Sequence, residues 1–180
     1  MLSRGRADTA TAGVRAAAFQ QLAEQHLDAS YRLAHAIMGN RQDAEDATHD
    51  ALVQAWRSWG SLRDPARFES WFSTILVNTC RTHMRRASKW RTQDISHTMA
   101  VGTDRRIGQA DDRDLIGQLM ASLSADHRAV VALRFYRDLS INQIAAMLGI
   151  RSGTVNSRLH YAMKALRAAT DDAGSKGAER

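Results

Sequence analysis

A single proline, Pro65, and 11 glycines punctuate these 180 residues, and between the breakers apolar residues recur at three- and four-residue steps. That pattern limits the chain to helices separated by short joints. Over residues 14–38 the stripe is Phe19, Leu22, Ala29, Leu33, Ala36 and Ile37, closed by Gly39 and Asn40, which tolerate left-handed backbone. Asp43 is the expected cap of a second helix, where Glu45 and Asp46 also suit the positive end of the dipole. Ala44, Ala47, Ala51, Ala55 and Trp59 line its apolar side, with Leu52 and Trp56 flanking and Gly60 stopping it. Asp64-Pro65 restarts the chain as a cap followed by a residue already locked at helical φ. The third helix carries Phe68, Trp71, Phe72, Ile75, Leu76 and Thr79 on one face and runs to about Trp90.

Residues 94–111 lose this periodicity and are expected to form a flexible linker. Afterwards the pattern resumes with Leu115, Ile116, Leu119, Met120 and Leu123, then Ser124 as a cap for residues 125–137, with Val130, Leu133 and Tyr136 inward. Ser140 and Gln143 have capping-box spacing at the head of a short helix (Ile141, Ile144, Ala145, Leu148) that ends at Gly149. A tight turn through Ile150, Arg151 and Ser152 leads to a longer helix with Val155, Leu159, Ala162 and Leu166 buried. A short capped helix, a turn and a longer helix with a polar basic face is the plan of a helix-turn-helix, whose second helix enters a DNA major groove. The expected fold is all-α, with two small helical domains at 14–93 and 112–170, the linker between them, and unstructured tails at 1–13 and 171–180.

Lys plus Arg number 25 and Asp plus Glu 19, a net charge of +6 that favours polyanionic partners. Its distribution is sharper than its size. Residues 70–93 hold Arg81, Arg85, Arg86, Lys89 and Arg91 and no acid, a balance of +5. Residues 139–170 hold Arg151, Arg158, Lys164 and Arg167 and again no acid, a balance of +4. Those nine basic residues removed, 16 remain against all 19 acids, so the rest of the chain is net −3. Residues 42–56 carry Asp43, Glu45, Asp46 and Asp50 without one Lys or Arg.

The stretches Asp43-Ala-Glu-Asp-Ala-Thr-His-Asp-Ala-Leu-Val-Gln-Ala-Trp56, Phe68-Glu-Ser-Trp-Phe-Ser-Thr-Ile-Leu-Val-Asn78, Leu139-Ser-Ile-Asn-Gln-Ile-Ala145 and Gly153-Thr-Val-Asn-Ser-Arg-Leu-His160 together resemble the extracytoplasmic-function (ECF) sigma factors of bacterial RNA polymerase, in order and spacing. The resemblance implies a cytoplasmic, nucleoid-associated initiation factor in which 14–93 is region 2 and 112–170 is region 4. It implies that the second helix docks on the polymerase clamp helices, with Asp43, Asp46, Asp50, Leu52, Val53 and Trp56 as candidates, Trp56 being expected more in the core than at the interface. It implies that the third helix and the loop before it read the single-stranded promoter −10 element. Candidates there are Arg63, Asp64, Phe68, Asn78, Arg81, Arg85 and Arg86, the asparagine matching the family's flipped-base pocket and the last three arginines suiting phosphate. Trp71 and Phe72 lie on the apolar stripe and are expected to be core.

By the same resemblance region 4 reads the −35 duplex and meets the polymerase flap, with Arg151, Ser152, Thr154, Asn156, Ser157, Arg158, Tyr161 and Lys164 facing outward toward DNA. His49, Pro65, Arg67, Asn156 and Tyr161 depart from residues common in the family, which alters contacts without removing the motifs. Control by an anti-sigma factor is a further implication.

Other classes fare worse. The seven histidines include no pair at i, i+3 or i+4, and the lone Cys80 has no companion, so no metal site, cofactor or catalytic centre is expected. One cysteine forms no intrachain disulfide, no apolar run is long enough to span a membrane, and residues 1–12 lack the apolar core of a secretory signal. An autonomous helix-turn-helix regulator acting without polymerase is the alternative; it accounts for 139–166 and leaves 43–78 unexplained.

Overall fold

A computed structural model describes residues 4–94, 117 and 119–177, with side chains over 13–88, 117 and 119–170. The first unit consists of α1 (Arg4–Met38), α2 (Arg41–Ser58) and α3 (Phe68–Asp94). The second consists of α4 (Ala125–Val131), α5 (Ile141–Leu148) and α6 (Ser152–Gly177). Every regular element among the described residues is helical, as the periodicity requires.

The joints follow local chemistry. Gly39 takes φ +82° and its N–H bonds to the His35 carbonyl at 2.9 Å, which ends α1. Asn40 is then extended, and its side-chain oxygen accepts the Asp43 amide at 2.8 Å while its side-chain nitrogen donates to the Asp43 carboxylate at 2.6 Å. The cap of α2 is therefore Asn40, and Asp43, expected in that role, is the third helical residue. The left-handed turn at Gly39 already leaves Asn40 in capping geometry, so the helix starts earlier than the acidic run suggests. Asp64 accepts from the Ala66 amide at 3.0 Å, and Pro65 opens a 3-10 turn (Pro65–Arg67) that runs into α3.

Ala44, Ala47, Ala51 and Ala55 are fully buried, and this small-residue stripe lets α2 lie close against α1 and α3. At one end of the bundle Phe19 meets Trp56, Trp59 and Phe68 edge-on at centroid distances of 5.2, 5.5 and 6.0 Å, and Phe68 stacks on Phe72 at 5.6 Å. Phe72 is fully buried and Trp71 half-buried, in keeping with their place on the stripe.

In the second unit Ser124 accepts from the His127 amide, and Val130 and Leu133 are buried as expected. After Val131 the helix widens into a π turn, Ala132–Tyr136. The extra residue per turn rotates Tyr136 outward, so this side chain, expected inside, is 47% exposed. Both halves of the Ser140–Gln143 capping box are present. Gly149, at φ +63°, closes α5 with its own N–H on the Ala146 carbonyl and that of Ile150 on Ala145.

The two units pack against each other. α3 lies on α4 and α5, and α1 touches α4 and the π turn. One buried cluster runs from Leu33, Ile37, Leu76 and Val77 through Val130, Leu133 and Ile144 to Val155. Buried Arg128 crosses the junction, donating from Nη1 to the Ile37 and Met38 carbonyls (3.1 and 2.9 Å) and from Nη2 to those of Ala121 and Leu123 (3.1 and 3.3 Å).

The tails differ from expectation: the backbone is helical from Arg4 and continues to Gly177. Extending an existing helix avoids the cost of a nucleus, so the flanks continue it without an apolar stripe. α3 likewise reaches Asp94, and the rest of the expected linker, with Leu115 and Ile116, lies outside the described residues.

Phe68→Ala is expected to lower stability by about 3–5 kcal/mol through loss of a buried ring, and Gly149→Ala by about 1 kcal/mol or more through left-handed strain. Chemical unfolding followed by circular dichroism measures both.

Candidate nucleic-acid and polymerase interface

The α5–α6 pair has the geometry of a helix-turn-helix. The Arg151 carbonyl accepts from the Thr154 and Val155 amides (2.9 and 3.2 Å), so α6 starts immediately after the turn. Ser152 is half-buried and its hydroxyl donates to Asn142 Oδ1 at 2.9 Å. Expected to face DNA, Ser152 instead ties the turn to α5. Val155 and Ala162 are buried and Leu159 and Leu166 half-buried, which leaves Arg151, Asn156, Ser157, Tyr161 and Lys164 exposed and Thr154 half-buried beside them. Tyr161 is 59% exposed, an aromatic available to a partner.

Arg158 departs from this face. Its Nη2 reaches Asp126 Oδ2 at 2.8 Å and its side chain is only one-fifth exposed, so it braces α6 against α4 where an outward position was expected. Asp126, in the first turn of α4, also accepts from Arg81 Nε at 2.9 Å and, through both oxygens, from Arg85 Nη2 at 2.8 Å. Burial pushes this carboxyl's pKa up, but the hydrogen bonds from Arg81 and Arg85 and the charges of Arg81 and Arg158 outweigh it and hold the pKa below the ordinary value.

On α3, Asn78 is exposed and its side-chain oxygen accepts from Arg81 Nη1 at 3.0 Å. Arg81 itself is buried between the units, which corrects its expected place on an open phosphate-binding face; the Asp126 carboxylate supplies the counter-charge that burial demands. Arg85 and Arg86 are exposed, Arg85 reaching out to Asp126. Arg63 and Asp64 are exposed in the loop before α3, Asp64 also serving as the cap. Phe68 is a second correction: at 1% exposure it sits inside the aromatic cluster, unable to reach a base.

On α2 the carboxylates of Asp43, Asp46 and Asp50 are exposed along one side, with Leu52 and Val53 half-buried next to them. Asp50 pairs with His83 Nε2 of α3 at 2.9 Å. Trp56 is 47% exposed, lying edge-on against Phe19. The expectation that it belongs to the core fails because position 56 lies beside the buried alanine stripe, where one side of the ring meets half-buried Phe19 and the rest faces out.

Comparison with known proteins agrees with this layout. Residues 22–90 match the family model for Sigma-70 region 2 and residues 119–168 that for Sigma-70, region 4. The chain is 37% identical over 168 residues to the ECF RNA polymerase sigma factor SigL of Mycobacterium tuberculosis, covering 91% of this chain and 94% of that one. The chain belongs to the ECF sigma factor family.

Among further relatives are the ECF RNA polymerase sigma factor SigM of Mycobacterium tuberculosis, 34% identical over 78% of this chain and 71% of its own, and the RNA polymerase sigma factor SigV of Bacillus subtilis, 31% identical over 79% and 84%. Among solved structures, the sigma factor RpoE in complex with the anti-sigma factor NepR from Bartonella quintana superposes with a TM-score of 0.65 at 26% identity, covering 85% of this chain and 96% of that one. In sigma-factor terms, the first unit is region 2, the second is region 4, and α5–α6 is the region 4 helix-turn-helix.

Asp126 is the residue that the sequence reading missed. In the sequence it is an ordinary acid complementing a helix N-terminus, and its arginine partners lie 32, 41 and 45 residues away, where no spacing rule points. Among the described residues no helix is long and apolar enough to cross a membrane.

Cys80 is buried, and burial pushes its thiol up to about 12, which keeps it protonated and unreactive at neutral pH. Iodoacetamide at pH 8 is expected to leave the native sigma factor unmodified while fully alkylating the unfolded chain, as read by mass spectrometry. Rapid native alkylation would show that α3 opens around Cys80.

Proposed function

We propose that this ECF sigma factor is the promoter-specificity subunit of RNA polymerase: it binds the core enzyme, reads the −35 and −10 elements and promotes strand opening, while the polymerase performs the chemistry. The carrying observation is that both sigma-70 regions match one chain, region 4 over an intact helix-turn-helix and region 2 over the helices bearing the acidic and basic faces. The exposed side of α2, with Asp43, Asp46, Asp50, Leu52, Val53 and Trp56, docks on the polymerase clamp helices, and region 4 meets the flap. Exposure of the three carboxylates and of the Trp56 ring supports this assignment.

For the −10 element, Arg63, Asp64 and Asn78 contact extruded bases and Arg85 and Arg86 hold phosphate, joined by Arg81 once its ion pair with Asp126 is released. Binding energy spent on single-stranded bases favours the open promoter over the duplex, a population shift. For the −35 element, Arg151, Thr154, Asn156, Ser157, Tyr161 and Lys164 form the DNA-facing side of α6, with Ser152 and Arg158 as positioning residues. The factor works in the cytoplasm beside the polymerase, under the control of an anti-sigma factor, as the complex of RpoE with NepR suggests.

Run-off transcription with core polymerase on a randomised promoter library is expected to enrich two spaced motifs; no core-dependent initiation would sink the proposal. Asn78→Ala is expected to slow open-complex formation by about tenfold, on the scale of one lost base contact, without changing affinity for core. Equal losses in both would remove Asn78 from the base pocket. Lys164→Ala is expected to weaken −35 duplex binding across sequences and to reduce the log–log salt slope by about one.

A further inference from the structure

The two basic windows, one per domain, converge on a single acid. Asp126 lies within 2.9 Å of Arg81 and 2.8 Å of Arg85 on the −10 side and of Arg158 on the −35 helix. Its two oxygens accept four charge-assisted hydrogen bonds, the arrangement in which arginines bind a phosphate oxyanion. Two of the three arginines belong to the surface that must hold single-stranded DNA, and while they hold Asp126 they are not available to it. Arg81 also donates to Asn78 one turn earlier on α3, so the same guanidinium that holds Asp126 occupies the acceptor of the residue assigned to the flipped base.

We propose that Asp126 is an internal phosphate mimic: in the free sigma factor its carboxylate occupies the anion site of α3 and latches region 4 onto region 2, so the −10 reader is covered until polymerase and promoter DNA open the pair. This rests on the sigma-factor reading of the preceding section and adds the regulation of the same surface.

Three features make the latch releasable. One carboxylate faces three guanidinium groups, so the cluster keeps a net charge of +2 and attracts a second anion. Arg158 Nη1 is buried with no hydrogen-bond partner among the described residues, which leaves the closed state short of one acceptor. Arg85 remains 57% exposed, giving an incoming backbone phosphate a first point of attachment. Two further polar contacts cross the same junction and open with it: Arg137 of region 4 with Glu69 at the start of α3, and Arg128 with the Ile37 and Met38 carbonyls at the end of α1.

The test follows the distance between the units in the free chain, with fluorophores on Gln54→Cys of α2 and Ala165→Cys of α6; native Cys80 is buried and stays unlabelled. Wild type is expected to be mostly closed at low salt and to open as salt rises. Asp126→Asn is expected to shift the equilibrium about tenfold toward the open form, as loss of charged hydrogen bonds implies, and Asp126→Glu to restore closure in part. Asp126→Asn also removes the brace on Arg158, so Glu69→Gln, which leaves region 4 intact, is the control and is expected to open the chain in the same direction. The probe for the covered surface is a mixed-sequence single-stranded DNA 12-mer without polymerase, which both variants are expected to bind several-fold more tightly than wild type. Helical circular dichroism unchanged from wild type shows that each unit remains folded. An unchanged distance and unchanged 12-mer affinity in both folded variants would overturn the latch. Failure of wild type to initiate with core polymerase would instead overturn the sigma-factor reading, since the distance measurement requires neither polymerase nor promoter.

Discussion

The arrangement of the two domains depends on the guanidinium of Arg128. A buried positive charge is tolerated only where its donors meet acceptors, and here they meet the last carbonyls of α1 and the carbonyls just before α4. The C-terminus of α1 carries unpaired carbonyls and the negative end of the helix dipole, so one side chain of region 4 satisfies an end of region 2. Gly39 completes the fit. Its positive φ turns the chain out of α1, and a Cβ there would sit 3.2 Å from Arg128 Nη1.

With the units joined at that point, the neighbouring turn of α4 falls against α3, and the apolar residues of both units merge into one buried cluster. The charge map then acquires its meaning. Two acid-free windows in one small protein would repel each other if brought together unscreened; the acid that α4 carries between them is what allows α3 and α6 to approach. On the proposed reading the same arginines hold DNA phosphate, and Asp126 is a built-in competitor for them. Asp43, Asp46 and Asp50 on α2 stay exposed while Arg81 of α3 is buried on Asp126.

Much of this was legible in the chain itself, wherever the deciding interaction is local. Ser140 and Gln143 cap α5 across three residues, Gly149 ends it in a left-handed turn, and Val155 and Ala162 set the buried face of α6 by helical period. Several of the assignments that failed turn on distant neighbours, others on a local shift of cap or helical phase. Phe68 had the type and place of a base-contacting aromatic, but Phe19 from α1 and Trp59 just after α2 pack against it. Trp56 was expected in the core, but it flanks the buried alanine stripe and packs on Phe19 with nearly half its surface exposed. Tyr136 kept helical phase on paper and lost it to a π turn.

Helix identity, caps, the helix-turn-helix and the segregation of charge were determined by the sequence alone, because each depends on residues within about one or two helical turns of one another. Which arginines are free, which are bridges and which carboxylate holds them was decided only by tertiary structure. Ion pairs between Asp126 and arginines more than thirty residues away have no period, and they exist because the packing of α4 on α3 brings one acid to the meeting point of two basic helices.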